Sequence, residues 1–393
     1  MDIYVFNRNL ESIGMIDSFT SLIWTRRYYK SGEFELHCDL TPANLAFLSR
    51  ENIIYKTGDI EAGVIKYRNL KQDAEGKEIL VVKGNFLTGY LNRRIIWGTS
   101  ILNTTAELSM RTMVNNNCIN PSNTDRVIPN MVLGTLNSFI SNVDYQTSYT
   151  NLADELENLS NISDLGHRIN FDITNRKLVF NVYKGLDRSV NQSVNQSVNP
   201  RCIFSKEFDN ILEQEYVDSL DNYKNLALVG GIGEGSERRL ITIGDSVGLD
   251  RFEIFNDQKS LSNTEDINGV STTMSEEYYN LLLRGKGNET LALTKEIQTF
   301  DSKININSNL KYKTDYDLGD IITIISKKWE VTLDSRITEI QEVYEEAGLS
   351  INITFGNNIP TLIDKIKLKL QSNSSGSNGN SNTTITNIDG GSF

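Results

Sequence analysis

The chain has 393 residues, 38% of them hydrophobic, and a formal net charge of −12. That length holds about two to four domains of roughly 100–200 residues each. The acidity argues against a protein that grips nucleic acid, because phosphate binding needs clustered Lys and Arg.

No stretch reaches the roughly 18 apolar residues of a membrane helix. The opening "MDIYVFNRNL" reads at once as a strand, so no secretory signal is expected. Ile3–Phe6, Ile53–Lys56, 63–67 and 78–83 are further strand candidates, punctuated by Gly32, Gly58, Gly63 and Gly76. In "FELHCDL", Phe34, Leu36, Cys38 and Leu40 share one face, while Glu35, His37 and Asp39 share the other. This pattern predicts a small antiparallel barrel or sandwich.

Helical patterns follow. Thr104 to Glu107 has the form of a capping box before a helix through Val114. A second helix is predicted over 152–159, with Leu152, Leu156 and Leu159 on one stripe and Gly166 ending the region. "RINFDITNRKLVFNVYKG" reads as a hairpin turning at 174–176. "RCIFSKEFDNI", "NYKNLALVGG" and "RRLITIG" are strand-like, and 247–270 is polar and loop-like. A helix is predicted from about Ser275 to Arg284, ended by Gly285. Strands return in "DIITIIS", "WEVTL", "RITEIQEVY" and "LSINITFG". Of the last 23 residues, 18 are Ser, Asn, Gly or Thr, which reads as a flexible tail.

Candidate chemistry is sparse. Cys38, Cys118 and Cys202 lie far apart, without CxxC or Cys/His spacing. They support neither a zinc site nor a disulfide framework and read as buried small residues of a reduced, cytosolically made protein. "VGGIGEGSERR" places Gly231, Gly233 and Gly235 like a phosphate loop, but GxGxxG spacing fails and no Lys follows, so a turn between strands is expected. His37 and Cys38 point to opposite faces of a strand and cannot form a catalytic pair. His167 reads as a packing or solvent residue. The acidic pairs Asp154/Glu157 and Glu345/Glu346 read as solvated faces. Trp24, Trp97 and Trp329 sit in apolar strand patterns and are expected in a core or interface. No catalytic, cofactor-binding or metal residue is assigned.

One internal similarity stands out. "VIKYRNLKQDAEGKEILVVKGN" (64–85) and "RITEIQEVYEEAGLSINITFGN" (336–357) share Ile65/Ile337, Gly76/Gly348, Ile79/Ile351, Gly84/Gly356 and Asn85/Asn357 without gaps. Two readings are open: unrelated hairpins with common turn chemistry, or two copies of one β-domain. On the second, three chains would set six similar domains around an axis.

Several phrases together carry a family resemblance: "IWTRRYYKSGEFELHCDLTPAN", "AGVIKYRN" and "LNRRIIWG" early; "VFNVYKGLDRS", "IFSKEFDNI" and "NYKNLALVGGIGEG" in the middle; "YKTDYDLGDIITII", "RITEIQEVYEEAG" and "TFGNNIPTL" late. The ordered set resembles the siphophage tail hub family, also called baseplate hub or tail-associated proteins, of long-tailed phages and phage tail-like particles. The resemblance implies a β-rich α+β fold with two tail-tube-like antiparallel β-barrel domains and peripheral α/β insertions. It also implies a non-enzymatic homotrimer, a pseudo-sixfold ring joining the tail tube to the tail tip and lining the channel. Implied partners are distal tail or tail-tube proteins, baseplate and tip or receptor-binding proteins, and a tape measure protein. No cofactor and no sequence-specific nucleic-acid binding are implied. The location would be the virion tail tip or a tail-like particle, made in the bacterial cytoplasm. An acidic wall would suit a DNA conduit. Many hub proteins carry a C-terminal peptidase or lysozyme-like domain; here "TTITNIDGGSF" follows instead, and a separate protein is expected to supply such activity. A peptidoglycan-degrading tail enzyme and a carbohydrate-binding tip adhesin are the alternatives.

The expected division is a first barrel at 1–98, a peripheral α+β domain at 99–205, and a split second barrel at 206–246 and 297–365. A helical or loop insertion at 247–296 and a flexible tail at 366–393 complete it. "SVNQSVNQSVNP" (189–200) is expected to lengthen an exposed hairpin loop: Ser, Val and Asn are poor helix formers, and three copies of four residues are too short for a solenoid.

Overall fold

The computed structural model describes residues 1–356 apart from 73, 75, 192–198 and 268–269. Most of the SVNQ repeat and the expected tail at 366–393 therefore lie outside the described residues.

The strands that alternate in sequence assemble into one large antiparallel sheet. Its order is Ile211–Ser219, Ile297–Ile304, Gly348–Gly356, Val331–Glu345, Ser21–Arg27, Glu33–Asp39, Glu78–Phe86, Gly63–Gln72, Ile53–Lys56, Ile3–Phe6, Ser12–Ile16. Ile321–Ser326 joins the first half of Val331–Glu345 and carries Ile203–Ser205 in parallel. "WEVTL" and "RITEIQEVY" thus fall largely into one 15-residue strand. Burial follows alternation: Phe34, Leu36 and Cys38 are buried, Glu35 and His37 between them are half-buried, and Glu33 and Asp39 at the strand ends are exposed. One core gathers Trp24, Phe34, Leu36, Ile65, Val82 and Phe86. A second gathers Phe204, Phe300, Ile324, Ile340, Ile353 and Phe355.

The peripheral region has its own small sheets. Thr99–Thr105 pairs with Asn142–Ser148, and Gly166–Asp172 forms the expected hairpin with Lys177–Tyr183. Its core is continuous with the first β unit: Phe6, Ile53 and Val64 pack with Met110, Leu156 and Phe180. The helix Ala106–Val114 is capped one residue later than expected. Thr105 Oγ1 accepts from the Leu108 N–H at 3.3 Å. Glu107 makes no capping box; it is buried and accepts from the Asn137 and Phe139 N–H groups at 2.7 and 3.1 Å. The second helix runs Leu152–Ser163 and ends at Asp164 in the left-handed region, so Gly166 opens the next strand instead of closing the helix.

Three further corrections concern 220–296. Leu226–Gly230 and Leu240–Ile243 do not join the large sheet; Leu226–Gly230 is the central strand of a separate sheet of three, between Leu240–Ile243 and Glu253–Asp257. The polar stretch 247–270 is therefore not all loop. The helix is Glu276–Leu293 and passes straight through Gly285 and Gly287. Gly285 marks close approach rather than an end: a Cβ there would stand 2.0 Å from the Asp144 carbonyl oxygen. Gly285→Ala is accordingly expected to destabilise by about 1–3 kcal/mol through overpacking, outweighing the roughly 1 kcal/mol that alanine gains in a helix. Thermal unfolding measures the sign; a raised Tm would refute the close approach.

Candidate assembly interface

The sheet crosses from one half of the chain to the other at a single junction. Ser21–Arg27 lies antiparallel to the end of Val331–Glu345, with Arg27 opposite Glu339, Thr25 opposite Gln341 and Ile23 opposite Val343. Arg27 Nε donates to Glu339 at 2.7 Å, and Gln341 Nε2 to Thr25 Oγ1 at 3.4 Å.

Charged groups lie buried beside this junction. Arg26, Lys56, Asp59, Glu61 and Glu342 are all below 7% exposed. Arg26 donates to Glu61 (3.3 Å), Asp317 (2.7 Å) and the Tyr312 hydroxyl (3.0 Å). Lys56 Nζ reaches Glu342 at 2.6 Å and Asp59 at 3.1 Å. Burial would push the Asp59 carboxyl up, but Arg26, Lys56 and Lys313 outweigh it and hold it well below the ordinary range. Burial wins at Glu61, whose carboxyl is raised despite Arg26 and Arg168.

The two hairpins singled out in the sequence occupy matching places. In Gly63–Gln72 the register skips between Ile65 and Tyr67, leaving Lys66 as a bulge; in Val331–Glu345 it skips between Ile337 and Glu339, leaving Thr338. These positions coincide in the ungapped alignment. The second strands do not: Tyr67 faces Lys83, but Glu339 faces Thr354, a slip of one residue. Before each bulge a further strand attaches, Ile53–Lys56 in one half and Ile321–Ser326 in the other. Beyond each second strand come two more. Asn85 faces Glu33, which faces Thr25; Gly356 faces Thr299, which faces Val217. Ile211–Ser219 is thus the counterpart of Ser21–Arg27. The ring pair Trp24/Phe34 (centroids 6.1 Å apart) has its counterpart in Tyr216/Phe300 (6.2 Å).

This equivalence exposes two unmatched edges. Within the chain, the strand segment after the bulge at Thr338 is covered by Ser21–Arg27. After the bulge at Lys66, the outer edge of 67–72 has no partner strand among the described residues, and neither has the outer edge of Ile211–Ser219. Unpaired edges are templates for pairing with another chain. Superposing the internal junction on these edges sets Asn69 opposite Val217, Arg68 opposite Asp218, and Lys71 opposite Glu215. Both charged pairs are of opposite sign.

The sheet face away from the cores is polar and laced with cross-strand ion pairs. Arg27 bonds Glu33 at 2.7 Å, Lys83 meets Glu35 at 2.8 Å, and Lys303 meets Glu213 at 3.6 Å.

The residues weighed for chemistry are not brought together. The three cysteines are buried, and burial pushes the Cys38 thiol to about 11 and those of Cys118 and Cys202 to about 12. His37 pairs with Glu35 at 2.7 Å. His167 is buried against Ser160 Oγ (2.8 Å), and desolvation lowers it to about 4. Gly231, Gly233 and Gly235 lie in the connection between two strands. Glu345 and Glu346 are exposed; Glu157 is half-buried near Lys30 at 3.6 Å. Of the three tryptophans expected in a core or interface, Trp24 is a core residue, whereas Trp97 and Trp329 are 53% and 42% exposed in the single chain. Trp97 stacks on the Arg126 guanidinium, 4.2 Å from its ring centre. Among the described residues no cluster of His, Cys, Asp or Glu could hold a metal, and no helix is long and apolar enough to cross a membrane. The two free edges escaped the sequence reading, although the 64–85/336–357 similarity was their signal.

No curated protein matches the chain. Solved structures do. The 43 kDa tail protein of prophage MuSo2 from Shewanella oneidensis matches with a TM-score of 0.53 at 11% identity, over 90% of this chain and 98% of that one. Prophage tail protein gp18 from Listeria monocytogenes matches at 0.52 and 12% identity, over 95% and 100%. A tail protein from Neisseria meningitidis matches at 0.52 and 11%, over 91% and 96%. The fold is therefore that of prophage tail proteins. The family profile described as siphovirus ReqiPepy6 Gp37-like protein matches residues 2–357. With nearly its whole length matched, the chain belongs to the siphovirus ReqiPepy6 Gp37-like protein family.

Proposed function

We propose that the chain is a structural hub subunit of a siphophage-type tail. Three copies close into a ring in which six similar β units surround a channel, and the ring joins tail tube to tail tip. The observation that carries this reading is the pair of free sheet edges, complementary to each other in the register of the internal junction. Pairing 67–72 of each copy with 213–219 of the next repeats between chains the junction already made within each chain, and such a heterologous contact closes when the rotation allows. The polar, ion-paired sheet face would line the channel, where neutralised side chains leave no basic track for DNA.

In this reading 1–98 and 206–219 with 297–356 are the two tube-like units, whose barrels are completed by neighbours. The regions 99–205 and 220–296 stand outside the ring, and tube, tip and tape measure proteins are its partners. The subunit acts by assembly, without catalysis. Sedimentation of the full chain, with tube protein added if needed, is expected to give a closed trimer; a monomer at every concentration and with tube protein present would refute the ring. Clearing of peptidoglycan in a gel by the purified chain would refute the non-enzymatic role.

A further inference from the structure

The seam between the two β units buries a primary amine against a carboxyl group 286 positions away. Lys56 ends the strand Ile53–Lys56, and alternation sets it on the same inner face as Ile54. Glu342 shares a face of Val331–Glu345 with Ile340 and Tyr344 and stands opposite Trp24 in the register. Both Lys56 and Glu342 are 2% exposed. Lys56 Nζ lies 2.6 Å from Glu342 Oε2 and 3.1 Å from Asp59 Oδ2. A turn at Gly58, where φ is 80°, folds Asp59 back so that its N–H donates to the Lys56 carbonyl at 3.1 Å. The rings of Trp24 and Tyr344 cover the amine, with centroids 5.6 and 5.5 Å away.

Two hydroxyls serve the Glu342 carboxyl, one on each oxygen. Tyr344 donates to Oε2 at 2.5 Å and Tyr312 to Oε1 at 3.2 Å. Burial pushes both phenols up, so both stay protonated donors at neutral pH. An amine, a carboxyl group, a carboxylate beside the amine and a donor on each carboxyl oxygen are the parts that amide formation needs.

We propose that Lys56 and Glu342 condense after folding into an amide that joins the two β units. The proton shared between Nζ and Oε2 moves to Oε2, and the freed lone pair of Nζ forms a bond to Glu342 Cδ. The electrons of the C=O bond pass to Oε1, where the Tyr312 hydroxyl stabilises the charge. The nitrogen, now cationic and strongly acidic, gives a proton to the Asp59 carboxylate, which passes it to the Oε2 hydroxyl. The Cδ–Oε2 bond breaks, water leaves, and the carbonyl re-forms at Oε1. One ammonium and one carboxylate become one amide and one water, and Asp59 ends as it began. Burial supplies the drive: water would solvate the two ions and favour the separate groups, whereas the closed seam withholds that solvation and costs a neutral amide less. One positive and one negative charge vanish together, so the balance of the seam is kept, and Asp59 retains Lys313 at 3.4 Å. The ion pairs described above are the state before closure. The proposal does not rest on the ring.

The intact mass of the denatured full-length protein tests it. That mass is expected to fall below the mass of the sequence by one water. Trypsin should then release 51–66, uncut after Lys56, joined to 337–365. Lys56→Arg, whose guanidinium is no nucleophile, and Glu342→Gln should each abolish the water loss. In samples taken at intervals after cell-free synthesis, Asp59→Asn should form the joined peptide at least about 100-fold more slowly than the wild type. The wild-type peptide map decides alone where a variant fails to fold. A wild type that keeps its full mass and yields separate peptides would overturn the proposal. So would a water lost within 51–66 alone, which would join Lys56 to Asp59 instead, or a water loss that survives either substitution. Closure at an unchanged rate in Asp59→Asn would overturn the assignment of Asp59 as the base.

Discussion

Reversing Arg68 and Lys71 together to glutamate is expected to turn the proposed ring into monomers without unfolding the chain. Both residues lie in the free-edged part of Gly63–Gln72; Arg68 is half-buried and also donates to the Leu45 carbonyl at 2.8 Å, and Lys71 is exposed. In the register of the internal junction they oppose Asp218 and Glu215, so the substitution sets like charges directly across two strand positions. A favourable cross-strand pair is worth roughly 0.2–1 kcal/mol and a like-charge pair costs a similar amount. Two reversals then weaken each interface by about 1–4 kcal/mol. A closed ring of three has three such interfaces, and losing them together multiplies the effect. Sedimentation should show a monomer, with the circular dichroism and Tm of the parent within a few degrees. The decisive arm is rescue: adding Glu215→Lys and Asp218→Arg restores opposite signs and should restore the ring. A double variant that stays assembled, or a quadruple variant that stays monomeric while folded, would refute this pairing. Disulfide formation between Asn69→Cys and Val217→Cys gives the register directly, because the three native thiols are buried.

How much of this was legible in sequence depends on the range of the interaction that decides each feature. Phe34, Leu36 and Cys38 alternate within one strand, and local sequence was enough. Gly285 was misread because a glycine that ends a helix and one that admits a neighbouring carbonyl look alike; Asp144 is what distinguishes them, and it is far away in sequence. The hairpin match was visible through Ile65/Ile337 and Gly76/Gly348. Its ungapped form was right at the bulges and wrong by one residue in the second strands, because turn length, not side-chain identity, sets register. Arg26 and Lys56 drew no reading from the sequence, because their partners Asp317 and Glu342 lie 291 and 286 positions away. The free edges were invisible, since an edge is defined by which strand is missing beside it.

Replacing Arg26 by leucine should be the most destabilising single change in the chain. The guanidinium is 1% exposed, and the positive charges of Arg26, Lys56 and Lys313 balance a set of carboxylates at the seam between the two β units. Removing one partner of a buried pair costs about 3–5 kcal/mol, mostly because the remaining charge stays buried and unpaired. Glu61 would suffer most: its carboxyl is already raised by burial, and Arg26 is the first group that offsets this. The pH dependence identifies the cause. In the wild type, Asp59 has a depressed folded pKa, so its contribution is present at neutral pH and is lost as pH falls below the ordinary carboxylate range. In Arg26→Leu, Glu61 rises further and Asp59 loses one of its three cations. A carboxyl raised in the folded state gains stability on protonation, so the variant's deficit should narrow as pH is lowered from 7 towards 5. Denaturant unfolding of both proteins at the two pH values reads this out. A constant deficit would mean that lost packing of the arginine stem, not uncompensated charge, accounts for the change. Because Arg26 stands next to Arg27 in the internal junction, the same variant should also loosen the template for the proposed junction between chains.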